Sequence, residues 1–180
     1  SAVLVAQRAN ETAVRLAALS APGVADVRMA PFKYGAGSFK VMVIPSGNRV
    51  PVEVLELVRR NVEATAAFGI YFTVSEPKYR RISLVVSISV ANGTLAGERD
   101  LVRTNVERAI LTHIGDIQIG GTLVMTALGS AIRGADQRVF DYRIEALCVD
   151  GKHQLVHNII LRNDELFLPD TGLLDPVKVI

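Results

Sequence analysis

Between Arg81 and Val90 the chain alternates without interruption. Ile82, Leu84, Val86, Ile88 and Val90 fall on one side, and Ser83, Val85, Ser87 and Ser89 on the other. Successive side chains of a strand point to opposite faces, so this run specifies a β-strand with one wholly apolar face. Its other face is small enough to meet a second surface. A fold for this chain has to bury one side of a long strand, and the remaining elements are read around that need.

Ahead of the strand, Asn10 can cap a helical turn at Glu11-Thr12-Ala13, and Ala13, Leu16, Ala17 and Ser20 share a face until Pro22 and Gly23 stop it. Val24 to Met29 alternates as a half-buried strand. A loop from Pro31 to Gly37, holding Tyr34 and two glycines, leads to a second alternating run through Phe39, Val41 and Val43, which ends at Pro45-Ser46-Gly47-Asn48. The two runs predict a hairpin. Pro51 suits a first helical turn. Val54, Leu55, Val58, Val62 and Ala66 then recur at helical spacing, with Arg59, Arg60 and Glu63 opposite, and Gly69 ends the helix. Ile70, Phe72 and Val74 alternate up to Pro77.

Beyond the long strand, Asn92-Gly93 marks a turn. Leu101, Val102, Asn105, Val106, Ala109, Ile110 and Ile114 form an amphipathic helix closed by Gly115. An extended piece, Ile117 to Ile119, enters Gly120-Gly121. A compact helix follows with Val124, Ala127, Leu128, Ala131 and Ile132 inward and Gly134 after it. Val139–Val149 and Gln154–Leu161 read as a hairpin turning at Asp150-Gly151. The tail from Asn163, with Pro169, Gly172 and Pro176, adds a short edge strand. The fold class is α+β: two small mixed α/β subdomains with hairpins and amphipathic helices, residues 1–77 and 78–180, packed tightly together.

The chemistry is sparse. Of 180 residues 49% are hydrophobic, which excludes a disordered chain and exceeds the need of one small core. A net charge of +2 is too balanced for a nucleic-acid binder. Ala2–Ala6 is too short for a signal-peptide core. The longest uncharged run, Ile117–Ile132, is shorter than the roughly 20 apolar residues of a membrane span. Gly35-Ala36-Gly37-Ser38-Phe39-Lys40 lacks the spacing of a phosphate loop, and its lysine lies in a strand. His153 and His157 share a strand face but stand roughly 13 Å apart, too far for one ion. His113 suits the capping of carbonyls at a helix end. Cys148 lies between Leu147 and Val149 with no basic neighbour, as a small buried hydrophobe, and cannot form an internal disulfide. Ser130 lacks a nucleophile elbow. Asp136, Asp141 and Glu145 pair with no second acid. Lys78, Arg80 and Arg81, with Tyr79 among them, read as a charged linker or a salt-bridged partner contact. No catalytic, cofactor-binding or metal-ligating residue emerges.

The order of these pieces carries more than any one of them. A helix runs into Ser20-Ala21-Pro22-Gly23-Val24-Ala25-Asp26-Val27-Arg28-Met29. A Gly-x-Gly loop at Gly35 and Gly37 and the strand Phe39 to Ile44 come next. Then follow a helix, the segment Ala67 to Pro77, the long strand Ile82 to Val90, another helix, and an Ile-Gly step at Ile119-Gly120 before a helix with a small-residue face. This order, over about residues 10 to 168, resembles the baseplate J-like family of contractile phage tails, pyocins and related injection systems. In one departure, Gly134-Ala135-Asp136 stands near the place of the family's second Pro-Gly-Val turn. In another, members usually carry an additional N-terminal region, whereas this chain begins just ahead of the helix.

The resemblance implies a structural protein and no enzyme: a wedge component that joins other wedge proteins and the tail hub into a ring. Such a ring is a homo- and hetero-oligomeric assembly in the virion tail baseplate, built in the host cytoplasm and changing shape on contraction. No cofactor, nucleic acid or membrane is implied. Pro22, Gly23, Val24, Gly35, Gly37, Gly69 and Gly120 are then positions that shape backbone turns. If Arg81–Val90 lies at a sheet edge, it offers a surface for pairing across a subunit boundary. The alternative is a small α+β enzyme or ligand-binding module, with a site drawn from His153, His157, Asp141 and Glu145 on adjacent strands.

Overall fold

Alternating and helical segments assort into two compact units, Ser1–Pro77 and Lys78–Ile180, in a computed structural model of the chain. The structure describes residues 2–47, 49–66, 69–170 and 176–180, without the side chains of 2–10. Asn48, Ala67 and Gly172, named above, and Phe68 of the segment Ala67 to Pro77 lie outside the described residues. The architecture is α+β.

The first unit runs α1 (Ala2–Leu19), β1 (Val24–Pro31), β2 (Ser38–Pro45), α2 (Val52–Thr65) and β3 (Tyr71–Ser75). The strands form a sheet in the order β1-β2-β3. β1 and β2 are an antiparallel hairpin, and β3 joins β2 in parallel after the α2 crossover. Both helices pack on one sheet face. Val14 and Ala18 of α1 and Val58 and Val62 of α2 close on Val27, Val41 and Val43. Asn10 lies inside α1, not at its start, because the helix-forming Ala2–Ala6 extends it N-terminally. The buried stripe is Val14, Ala18 and Ala21, so Ala13 and Ala17 flank it while Leu16 and Ser20 are exposed. Leu16 sits two residues from Val14, about 200° round the helix. Pro51 is the residue before α2, and α2 ends at Thr65, ahead of Gly69.

The second unit contains β4 (Lys78–Val90), α3 (Ala96–Gly115), β5 (Thr122–Leu123), α4 (Met125–Gly134), β6 (Val139–Val149), β7 (Lys152–His153), β8 (Ile159–Ile160), β9 (Glu165–Pro169) and β10 (Val177–Val179). Ile82, Leu84 and Val86 of β4 are buried in a core with Val106 and Ile110 of α3 and Leu128 of α4. The long strand is central, not an edge. β6 pairs with it antiparallel from Ile82 to Val90. β9 pairs in parallel with Lys78–Ile82 and β10 with Leu84–Val86. The tail thus supplies two strands, and from Ile82 to Val86 β4 runs between β6 on one side and β9 and β10 on the other.

Other expectations also shift. Ile117–Ile119 is not a strand; the short strand is β5, which pairs with β8. Ala127 is exposed, and Gly129 takes the buried place between Leu128 and Ile132. The hairpin turns at Asp150 (φ 52°) and Gly151 (φ 74°), but its second arm is only the two residues of β7. The rest of Gln154–Leu161 leaves β6, since Asn158 accepts the Met125 N–H at the start of α4 and Leu161 N–H donates to Gly121 O. Two register shifts in the β4–β6 ladder fall between Val85/Val86 and Ser89/Val90. They leave Glu145 and Phe140 of β6 as extra residues and return Tyr142 and Ile144 to the core side.

Candidate functional site

The residues singled out for catalysis do not converge. Asp141 and Glu145 lie on β6, Asp141 opposite Ser89 and Glu145 accepting the Ser87 hydroxyl at 2.7 Å. His153 pairs with Cys148 on β7, seven residues along β6 from Asp141. That separation is roughly 23 Å at strand rise. His157 lies past the end of β7, its Nδ1 2.8 Å from Leu155 O. Among the described residues no group of three or more His, Cys, Asp and Glu is placed to hold a metal ion. Cys148 is half-buried, not fully buried, and does have a basic neighbour: His153 Nδ1 stands 3.4 Å from its sulfur. That contact across a tight hairpin is the signal that reading β6 alone misses. His113 lines an open groove of about 620 Å³ between α3 and α4, with Arg108, Thr112 and Asp116.

The basic run Lys78–Arg81 is neither linker nor free. It begins β4 and is paired within its own unit, Lys78 with Asp164 at 3.1 Å and Arg80 with Asp150 at 2.6 Å and Glu165 at 3.1 Å. Burial alone would raise the Glu165 carboxyl. Hydrogen bonds from Arg162 N–H and Arg80 outweigh it and hold the group below the ordinary glutamate value. Asp136 is held well below the ordinary aspartate value. Arg138 grips it through Nε and Nη2, both at 2.8 Å, its own N–H adds a third bond, and Asn105 of α3 a fourth.

A depressed carboxyl contributes stability above its unfolded value, and this is lost as pH falls through the folded value. Urea midpoints followed from about pH 7 to about pH 3 should therefore fall more steeply for the native chain than for Asp136→Asn. Equal slopes would mean that Asp136 titrates alike in the folded and unfolded chain.

The turn residues sit at element ends. Pro22, Gly23 and Val24 join α1 to β1, Gly35 and Gly37 lie in the β1–β2 loop, Gly69 precedes β3, and Gly120 precedes β5. Gly23 adopts φ +89°, and its carbonyl accepts the Ser46 N–H at 3.1 Å, tying the two ends of the hairpin. A Cβ there meets only Val54 at 3.8 Å, so the penalty of substitution comes from the backbone. Gly23→Val should cost about 1–3 kcal/mol, read as a lowered urea midpoint. An unchanged midpoint would show that the turn does not need this conformation. Gly120 (φ +70°) donates its N–H to Glu165 O, and a Cβ would lie 3.2 Å from Asn163 Cα.

The most distinctive surface lies at the β1–β2 loop. Phe32, Tyr34 and Tyr71 are 60%, 52% and 59% exposed. The rings of Tyr34 and Tyr71 meet edge-on at 5.4 Å, and the Tyr34 hydroxyl lies 3.0 Å from Thr73 Oγ1. The buried Ser38 organises this loop: its Oγ accepts the Tyr34 N–H and donates to Gly35 O, and its carbonyl accepts the Phe32 N–H at 2.7 Å. Phe32 is held at φ 56°, a conformation that costs a bulky residue about 1–3 kcal/mol. The loop is thus braced from within while its aromatic rings face solvent.

This fold has a counterpart in a baseplate. It is similar to a chain in the cryo-EM structure of the anti-feeding prophage (AFP) baseplate, 6-fold symmetrised, with a TM-score of 0.58 over 86% of the present chain. The sequences are 15% identical, so the likeness is one of fold, and the present chain spans 35% of that chain. No protein-family model matches the sequence. No curated protein matches it either.

Proposed function

We propose that this chain is a structural component of the baseplate of a contractile tail or injection machine. One observation carries the reading: the fold is similar to that of a chain of the AFP baseplate over 86% of the present length. The order of sequence motifs, compared with the baseplate J-like family, points the same way independently. In this reading the chain is a wedge component. It joins other wedge proteins and the tail hub, in homo- and hetero-oligomeric contacts that close a ring. Contraction then moves packed elements between two discrete arrangements. The chain works in the tail baseplate after assembly in the host cytoplasm, and its role is structural, not catalytic.

The test is a tagged pull-down from the native source, with partners identified by mass spectrometry. Recovery of tail tube, sheath or further baseplate proteins supports the reading. Recovery of metabolic enzymes without any tail protein would overturn it.

A further inference from the structure

The sheet of the first unit has two outer edges, and they differ. β1 carries a register shift between Val24 and Asp26, charges at Asp26 and Arg28, and Pro31 at its end. Each of these features blunts an edge against strand addition. β3, Tyr71-Phe72-Thr73-Val74-Ser75, has no charge, no proline and a regular register with β2. The Tyr71 N–H donates inward to Gly37 O, and parallel-ladder geometry turns Thr73 and Ser75 inward as well. The N–H and C=O groups of Phe72 and Val74 therefore point away from the sheet, and among the described residues no strand pairs with them.

Charge on the same sheet indicates what this edge accepts. Val27, Val41 and Val74 pack toward the helices, so Arg28, Lys40 and Thr73 take the helix-free face. Lys33 lies between the exposed Phe32 and Tyr34. Among the described residues, Arg28, Lys33 and Lys40 take part in no ion pair. Residues 1–77 hold eight Lys/Arg against six Asp/Glu, so the chain's whole net charge of +2 belongs to this unit. A second copy offering the same face would bring like charges together. An acidic strand would neutralise them while the braced aromatic rings supply rigid contact area.

We propose that the outer edge of β3, beside Tyr34 and Tyr71, with Lys33 next to Tyr34 in the loop and Lys40 opposite Thr73 on β2, receives an extended acidic segment of a different protein chain by strand addition. This deepens the baseplate reading by naming a surface and the chemistry of its partner, and its test needs no assembled particle.

Amide hydrogen exchange followed by NMR reads the edge directly. In the free chain Thr73 and Ser75 exchange slowly and Phe72 and Val74 quickly. A synthetic peptide of alternating threonine and glutamate slows Phe72 and Val74 several-fold, and its threonine–lysine counterpart does not. The pair Lys33→Glu with Lys40→Glu, whose folding the same spectra report, abolishes the effect. Slow exchange at Phe72 and Val74 in the free chain would overturn the open edge. Absence of protection by the acidic peptide, or equal protection by the lysine peptide or in the double variant, would overturn the acidic partner. Tail proteins recovered in the pull-down alongside such a failure would leave the baseplate role standing and remove only this surface.

Discussion

Replacing Leu84 by alanine should cost the second unit about 2–5 kcal/mol, a large share of the roughly 5–15 kcal/mol that holds an ordinary domain together. Leu84 is 1% exposed at the middle of the central strand, paired with Leu147 on one side and Val177 on the other. Its side chain belongs to the core formed with Ile110 of α3 and Leu128 of α4. Truncation loses the transfer free energy of the removed carbons and leaves a cavity that a strand hydrogen-bonded on both sides closes poorly. Val85, one residue on, is half-buried on the opposite face. Val85→Ala should cost about 1 kcal/mol. Urea denaturation of both variants, with unchanged slopes, checks the contrast. Equal losses would refute the assignment of the two faces.

Gly129→Ala should destabilise by about 1–3 kcal/mol and reverse sign when Tyr142 is removed. A Cβ at Gly129 would stand 1.9 Å from the Tyr142 hydroxyl oxygen and 2.7 Å from Cζ, so the ring has to move. Arg133, one turn on along α4, holds its guanidinium 5.3 Å from the ring centroid and opposes that movement. In a Tyr142→Ala background the obstacle is gone. Alanine then regains about 1 kcal/mol over glycine through its helix propensity. Four urea curves, of the parent, both single variants and the double variant, give the coupling. A neutral Gly129→Ala in the parent would show that the ring yields freely and that the close approach carries no structural weight.

Period and punctuation made much of the fold legible. Val58 and Val62 of α2 and Ile82, Leu84 and Val86 of β4 are buried as their spacing predicts, because that spacing follows from each residue's own backbone geometry. The β6–β7 turn falls at Asp150-Gly151 for a similarly local reason, since a two-residue hairpin loop with both φ values positive favours Asp and Gly. The path of β6 was not legible, because each register shift breaks the alternation and depends on the partner strand. The candidate surface was half visible. Tyr34 and the loop glycines stand out in the sequence. The left-handed Phe32, the brace by Ser38 and the arrival of Tyr71 beside Tyr34 require β3 to return next to β2.

The sequence by itself determined the class of the molecule, α+β, the identity of its long strand and the places where the chain turns. These follow from side-chain size, β-branching and glycine at short range. Only the tertiary structure decided that β4 is a central strand enclosed by β6, β9 and β10, and that the open edge belongs to β3. It also decided that the basic run from Lys78 is paired within its unit, and that Asp141, Glu145, His153 and His157 do not gather into a site. The physical reason is common to all of these. Which strands meet depends on contacts between residues far apart in the chain, and local periodicity carries no record of which distant segment closes the loop.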